Sequence, residues 1–190
     1  MFMKKGTIVG LVVAFIIILL SAFVISNYNS MKVSAENVNT KSGDIDVYLQ
    51  RRADLIPNLV STVKGYTSHE TEIINKVTEA RTKLVNASSV EEKSNANDEL
   101  TNSLNALMVV VENYPDLKSS QNFIQLSDEL SGTENRIAVA RKDYNNAVKT
   151  LNTTIKKFPN NLLARMFGFE QSVYFEANES STEVPNVSFE

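Results

Sequence analysis

SSQNFIQLSDELSGTENRIAVARKDYNNAVKTLNTTIKKF, residues 119 to 158, decides the fold. Phe123, Leu130, Ile137, Tyr144, Leu151 and Phe158 recur at every seventh position, with Leu126, Ala140 and Ala147 at the intervening d-type positions. A sustained seven-residue apolar repeat keeps one stripe of an α-helix turned toward a partner, so the spacing predicts a long helix from about 119 to 158. Glu134, Arg136, Arg141 and Asp143 flank the stripe at e and g positions, where charges set register between packed helices.

The preceding sequence has the same habit. Leu59, Val63, Tyr66, Ile73, Val77, Ala80 and Leu84 keep a four-three spacing, interrupted only by Glu70, and the phase runs through Gly65. That phase favours one helix over residues 44 to 87, bent near Pro57. A capping box from Thr67 to Glu70 would instead split the segment into a helical hairpin. Leu100, Leu104, Leu107 and Val111 mark a shorter helix over about 90 to 113, ended by Tyr114-Pro115-Asp116. Short connections make sequential helices antiparallel neighbours. The expected fold is all-α: an antiparallel long-helix, four-helix-type bundle preceded by one N-terminal transmembrane helix.

From Gly6 to Ser30 there is no charged residue. Some 20 apolar residues at about 1.5 Å of rise each cross a hydrocarbon core about 30 Å thick. Residues 7–26 therefore read as an anchor in the lipid bilayer, the competing reading being a cleaved signal peptide. Lys4 and Lys5 immediately before the span favour a cytoplasmic N-terminus and a helical domain outside. Around this span the chain divides into a short tail (1–6), a polar tether (27–43), the helical domain with its C-terminal capping segment (44–177) and an acidic, flexible tail (178–190). The net charge of −3 argues against nucleic acid as a partner, and the lack of cysteine excludes disulfides, thiol catalysis and thiolate metal sites.

QRRADLIPNLVSTVKGY (50–66), VTEAR (77–81), LMVVVENYPDLKSSQNFIQLSDELSGTENRIAVARKDYN (107–145) and FPNNLLARMFGFEQSVYFEA (158–177) resemble the LemA family of bacterial membrane-anchored proteins. The ENYPDLK and GTENRIAVARKDYN blocks are the most specific. The resemblance implies a four-helix-type bundle outside one membrane span, and it supplies no enzymatic activity or ligand.

The residues themselves point to no catalytic, cofactor or metal site. His69 is the only histidine, too few for a zinc or di-metal carboxylate centre, and no phosphate-cradling glycine motif occurs. Arg51 and Arg52 read as surface ion-pair partners, or as contacts for an acidic partner. Two functions follow: an interaction or scaffold module of the cell envelope, or a hydrolase of envelope polymers using Asp128 and Glu129 or Glu134.

The aromatic end carries the one candidate docking patch. Phe158 reads as the last core member of the heptad stripe. Pro159 starts a short helix that Gly168 stops, folded over the open end of the bundle. Phe167, Phe169, Tyr174 and Phe175 then either lie along a groove between long helices or form an exposed surface for a protein partner or lipid headgroups.

Overall fold

The structure is a computed structural model and describes residues 5–67 and 69–176. Six helices follow in order: α1 (Lys5–Lys64), α2 (Thr71–Asn86), α3 (Val90–Val111), α4 (Pro115–Lys118), α5 (Gln121–Lys156) and α6 (Asn160–Phe167). Among the described residues there is no strand, and the fold is all-α. The chain falls into two compact units, one made of the chain up to Thr40 with Asn146–Ser172, the other of Lys41–Asn145 with the chain from Val173 onward.

In the second unit, four helical segments share a core. Ile45, Leu49, Ile56, Leu59 and Val63 of α1 are buried, as are Val77, Ala80 and Leu84 of α2, Leu100, Leu107 and Val111 of α3, and Phe123, Ile137 and Tyr144 of α5. Polar links fix their directions. Asp46 pairs with Lys93 and Arg52 meets Asn97, so α1 and α3 run parallel. Arg81 Nε donates to the Ala53 carbonyl, joining α2 to α1, and Lys83 pairs with Glu99, joining α2 to α3. The start of α3 has a complete capping box, with Ser89 Oγ accepting from Glu92 N and the Glu92 carboxylate accepting from Ser89 N. In the first unit, Met31 and Val38 of α1, Val148, Leu151 and Ile155 of α5, and Ala164 of α6 are buried.

Four expectations need correction. Residues 27–43 are no loose tether but an uninterrupted part of α1, because Met31 and Val38 continue the heptad of Ile45 and bury their side chains. Residues 44–87 form two helices, not one. The amides of Tyr66 and Thr67 both donate to the Val63 carbonyl, ending α1, and α2 starts only at Thr71. The apolar phase survives the break because both helices contribute their stripes to the same core, while Tyr66 itself is exposed in the turn. The hairpin needs no Thr67–Glu70 box: Glu70 makes no side-chain cap, and its carboxylate accepts from the Tyr114 hydroxyl, tying this turn to the one after α3. Phe158 is not in the core but 80% exposed, since α5 stops at Lys156 and the stripe stops with it. The fourth correction concerns Arg52 and belongs to the site below.

The short helix does form over Asn160–Phe167, and Gly168 ends it at a φ of 72° in the left-handed region that only glycine adopts freely. The expected tail, 178–190, lies outside the described residues, as do residues 1–4.

Candidate functional site

The heptad of α1 runs Met31, Val38, Ile45, then Arg52, then Leu59. An arginine thus occupies a seam position, and it is only 3% exposed. This overturns its reading as a surface ion-pair partner. Arg52 Nη1 donates to Asn97 Oδ1, and Nη2 donates to Thr101 Oγ1 at 2.9 Å. Nη1 also lies 2.7 Å from Glu134 Oε2, an ion pair by distance whose alignment falls outside hydrogen-bond geometry. Burial lowers the Arg52 pKa below the ordinary guanidinium value, with the charges of Glu134 and Asp98 opposing. Removing a guanidinium from water is costly unless oxygens of neighbouring side chains replace the lost hydration, and Asn97, Thr101 and Glu134 do so at the two Nη groups. Arg51, one residue earlier, is exposed and reaches Glu129 at 3.5 Å.

Beside this charged layer lies a cavity of about 300 Å³, lined by the apolar side chains of Leu59, Leu104, Met108 and Leu130 and by Arg52, Thr101, Ser127 and Glu134 among others. Arg52 Nε and Ser127 Oγ are buried there without a hydrogen-bond partner. Apolar walls with a few polar groups on the floor suit reception of a small apolar group carrying an acceptor. Asp128 is exposed, Glu129 also accepts from Gln125, and Glu134 serves Arg52, so the three carboxylates named for hydrolysis face different neighbours. His69 is exposed in the α1–α2 turn. Among the described residues no group of three His, Cys, Asp or Glu side chains could hold a metal ion.

The aromatic segment divides between the units. Phe167 and Phe169 pack edge-to-face on Tyr28, with ring centroids 4.9 and 5.8 Å away. Phe175 is 4% exposed in the second unit, under the Arg141 guanidinium, which stands 4.4 Å from its ring centroid. Arg141 also pairs with Asp98 and donates to Ser94 and to the Glu176 carbonyl. Tyr144 donates from its hydroxyl to the Val173 carbonyl, and burial raises its pKa. Of the four aromatics, Phe175 is buried, while Phe167 and Tyr174 are exposed.

Two asparagines hold this segment by its backbone. Asn145 accepts from the Phe175 amide at 2.8 Å and donates to the Phe175 carbonyl at 2.9 Å. In the first unit Asn152 does the same to Ser172, at 2.9 Å in both directions. Sequence reasoning missed these clasps and the Arg52 layer. For Arg52 the signal was present, a charged residue in line with Ile45 and Leu59, just as Asn97 is in line with Leu104 and Val111. The asparagines sit on the flank of the stripe, where no periodicity separates a clasp from a solvated amide.

An all-α fold whose first helix opens with an unburied apolar stretch long enough to cross a membrane marks a membrane-associated helical protein. The family model described as LemA family matches residues 41–189, and the chain belongs to that family. Magnetosome protein MamQ 2 of Paramagnetospirillum magneticum is 31% identical over 191 residues, covering 87% of this chain and 68% of that protein. Magnetosome protein MamQ of Magnetospirillum gryphiswaldense is 27% identical over 196 residues, with 88% and 72% covered. Protein LemA of Metamycoplasma hominis is 29% identical over 156 residues, with 80% and 69% covered.

Proposed function

We propose that the protein is an interaction or scaffold module of the bacterial cell envelope, a helical bundle held in the bilayer by residues 7–26 as a single-pass anchor. Its N-terminus is cytoplasmic, its bundle lies outside, and it works by holding a partner rather than by turning over a substrate. One observation carries this reading: the apolar window of α1 is wholly unburied, whereas the heptad that follows on the same helix is buried. A side chain that finds no protein contact on any face of a helix is matched by lipid. The cavity beside Arg52 is the place where a partner's apolar group would dock. Hydrolysis through paired carboxylates is disfavoured because Glu129 and Glu134 already answer Arg51 and Arg52. The names of the relatives specify no reaction.

Carbonate washing of membranes tests the anchor. The full-length chain should stay in the membrane fraction, and release of a shorter form beginning after Ser26 would show a cleaved signal instead. A reporter fused after Glu190 should be active only outside the cytoplasm. Replacing Asp128, Glu129 and Glu134 together by alanine should abolish no turnover of envelope polymers by the purified protein; loss of a measurable turnover, with the helical fold intact, would make it an enzyme.

A further inference from the structure

The first unit shows large apolar side chains well beyond the span. Phe158 is 80% exposed, Leu162 58%, Met166 65% and Phe167 43%. Leu162 and Met166, four residues apart on α6, share one face of that helix, exposed Phe158 stands just before its start, and Ala164 on α6 is buried. The short helix is thus seated through its small residue and turns its bulky ones outward, the reverse of what water favours. Exposed Lys156, Lys157 and Arg165 accompany that face, and Glu170 is the single acid between residues 156 and 170.

The position of this face follows from Tyr28. That ring lies against Phe167 and Phe169, and Lys32 Nζ stands 5.5 Å from the Phe169 centroid. Tyr28 is two residues past Ser26, so along a helix it is only about 3 Å beyond the end of the apolar run. The polar headgroup layer on each side of a bilayer is about 5–7 Å thick. A residue in ring contact with Tyr28 lies within that layer once the span is in the bilayer. Aromatic rings and basic side chains are the groups that this layer retains.

We infer that Phe158 and α6 form a second contact with the lipid bilayer, lying in its headgroup–acyl boundary on the same side as Tyr28. Phe158, Leu162 and Met166 enter the boundary, and Lys156, Lys157 and Arg165 meet the phosphates of anionic lipids. A second copy of the chain or a protein partner fits the site less well, because the face is continuous through Tyr28 with the span and carries basic charge. The inference rests on the reading of residues 7–26 as a membrane anchor.

The chain has no cysteine, so single substitutions can carry an environment-sensitive fluorophore. Probes at Leu162→Cys, Met166→Cys, Val13→Cys in the span and exposed Val109→Cys on α3 would be placed in the full chain, reconstituted in phosphatidylcholine–phosphatidylglycerol vesicles. Lipids brominated at shallow or deep acyl positions, and aqueous iodide, serve as quenchers. The probes at 162 and 166 should be quenched several-fold more than that at 109 by shallow bromine and spared by iodide, while that at 13 responds to deep bromine. Iodide access at 162 and 166 equal to that at 109, with 13 still quenched by bromine, would overturn the second contact and leave the anchor standing. Iodide access at 13 as well would overturn both. Shielding of 162 and 166 from iodide and bromine alike would mean that protein, not lipid, covers the face.

Discussion

Residues 8–25 and residues 31–63 belong to one unbroken helix and answer opposite problems. In the first stretch Ile8, Val9, Ile17 and Ile18 point to every side and none is buried. In the second, burial is confined to Met31, Val38, Ile45, Leu49, Arg52, Ala53, Ile56, Leu59 and Val63, which form one stripe. Apolarity on all sides cannot be satisfied by a neighbour on one side, so it demands a different solvent. Apolarity on one stripe selects a neighbour instead. Helix propensity does not tell the two apart; the angular distribution of the side chains does.

The largest test of this contrast is a carboxylate placed in each stretch. Ile56→Asp buries an unpaired charge in the second unit, a loss of several kcal/mol against a typical stability of about 5–15 kcal/mol. Circular dichroism should show loss of cooperative helical melting, while the protein stays with the membrane. Ile17→Asp should do the reverse, weakening membrane retention by about 2.5–3.5 kcal/mol per charged residue at the centre of a span and leaving the helical domain's melting unchanged. Variants that each damage both properties would break the contrast.

Arg52 is where the second stretch departs from its own rule. Arg52→Ala leaves Glu134 and Asn97 without their partner and should cost about 3–5 kcal/mol in denaturant unfolding. Combining Arg52→Met with Glu134→Leu should recover most of that loss, because two apolar side chains replace a desolvated pair. Arg51→Ala, one residue away and exposed, should change stability by less than about 1 kcal/mol. Equal effects at 51 and 52 would mean that the seam is not dry.

Asn145→Ala should cost about 1–3 kcal/mol by orphaning the Phe175 amide and carbonyl. Hydrogen exchange at that amide should accelerate, and an unchanged rate would show that the clasp does not hold in solution. The smallest effect is expected at Glu92, whose pKa is lowered by hydrogen bonds from the Ser88 and Ser89 amides. A carboxylate with a depressed folded-state pKa contributes stability above its ordinary value and loses it as pH falls through the depressed one. Glu92→Gln should slightly lower stability at neutral pH and leave it unchanged in acid, which flattens the acid limb of the stability–pH curve.

Much of this was legible because it is periodic. The seven-residue recurrence from Phe123 to Leu151 gave α5, and the charge-free run gave the unburied start of α1. Periodicity misled in two places. It ran through Gly65 because two antiparallel helices can feed one core in phase, and it counted Phe158 although the helix ends two residues earlier. The polar tether was misread because composition hid Met31 and Val38, two residues that suffice when they fall seven apart. The Arg52 layer was legible in principle, as a charged residue on an apolar line. The asparagine clasps were not, since a helical surface amide looks the same whether it meets water or a returning chain.

Those clasps set a constraint of their own kind. Asn145 grips Phe175 within the second unit and Asn152 grips Ser172 within the first, each through one amide and one carbonyl of the main chain. Because each asparagine grips only main-chain atoms, the grip itself does not depend on which side chain stands at the gripped position. Proline is the exception, since at either gripped position it would remove the N–H donor that the asparagine needs.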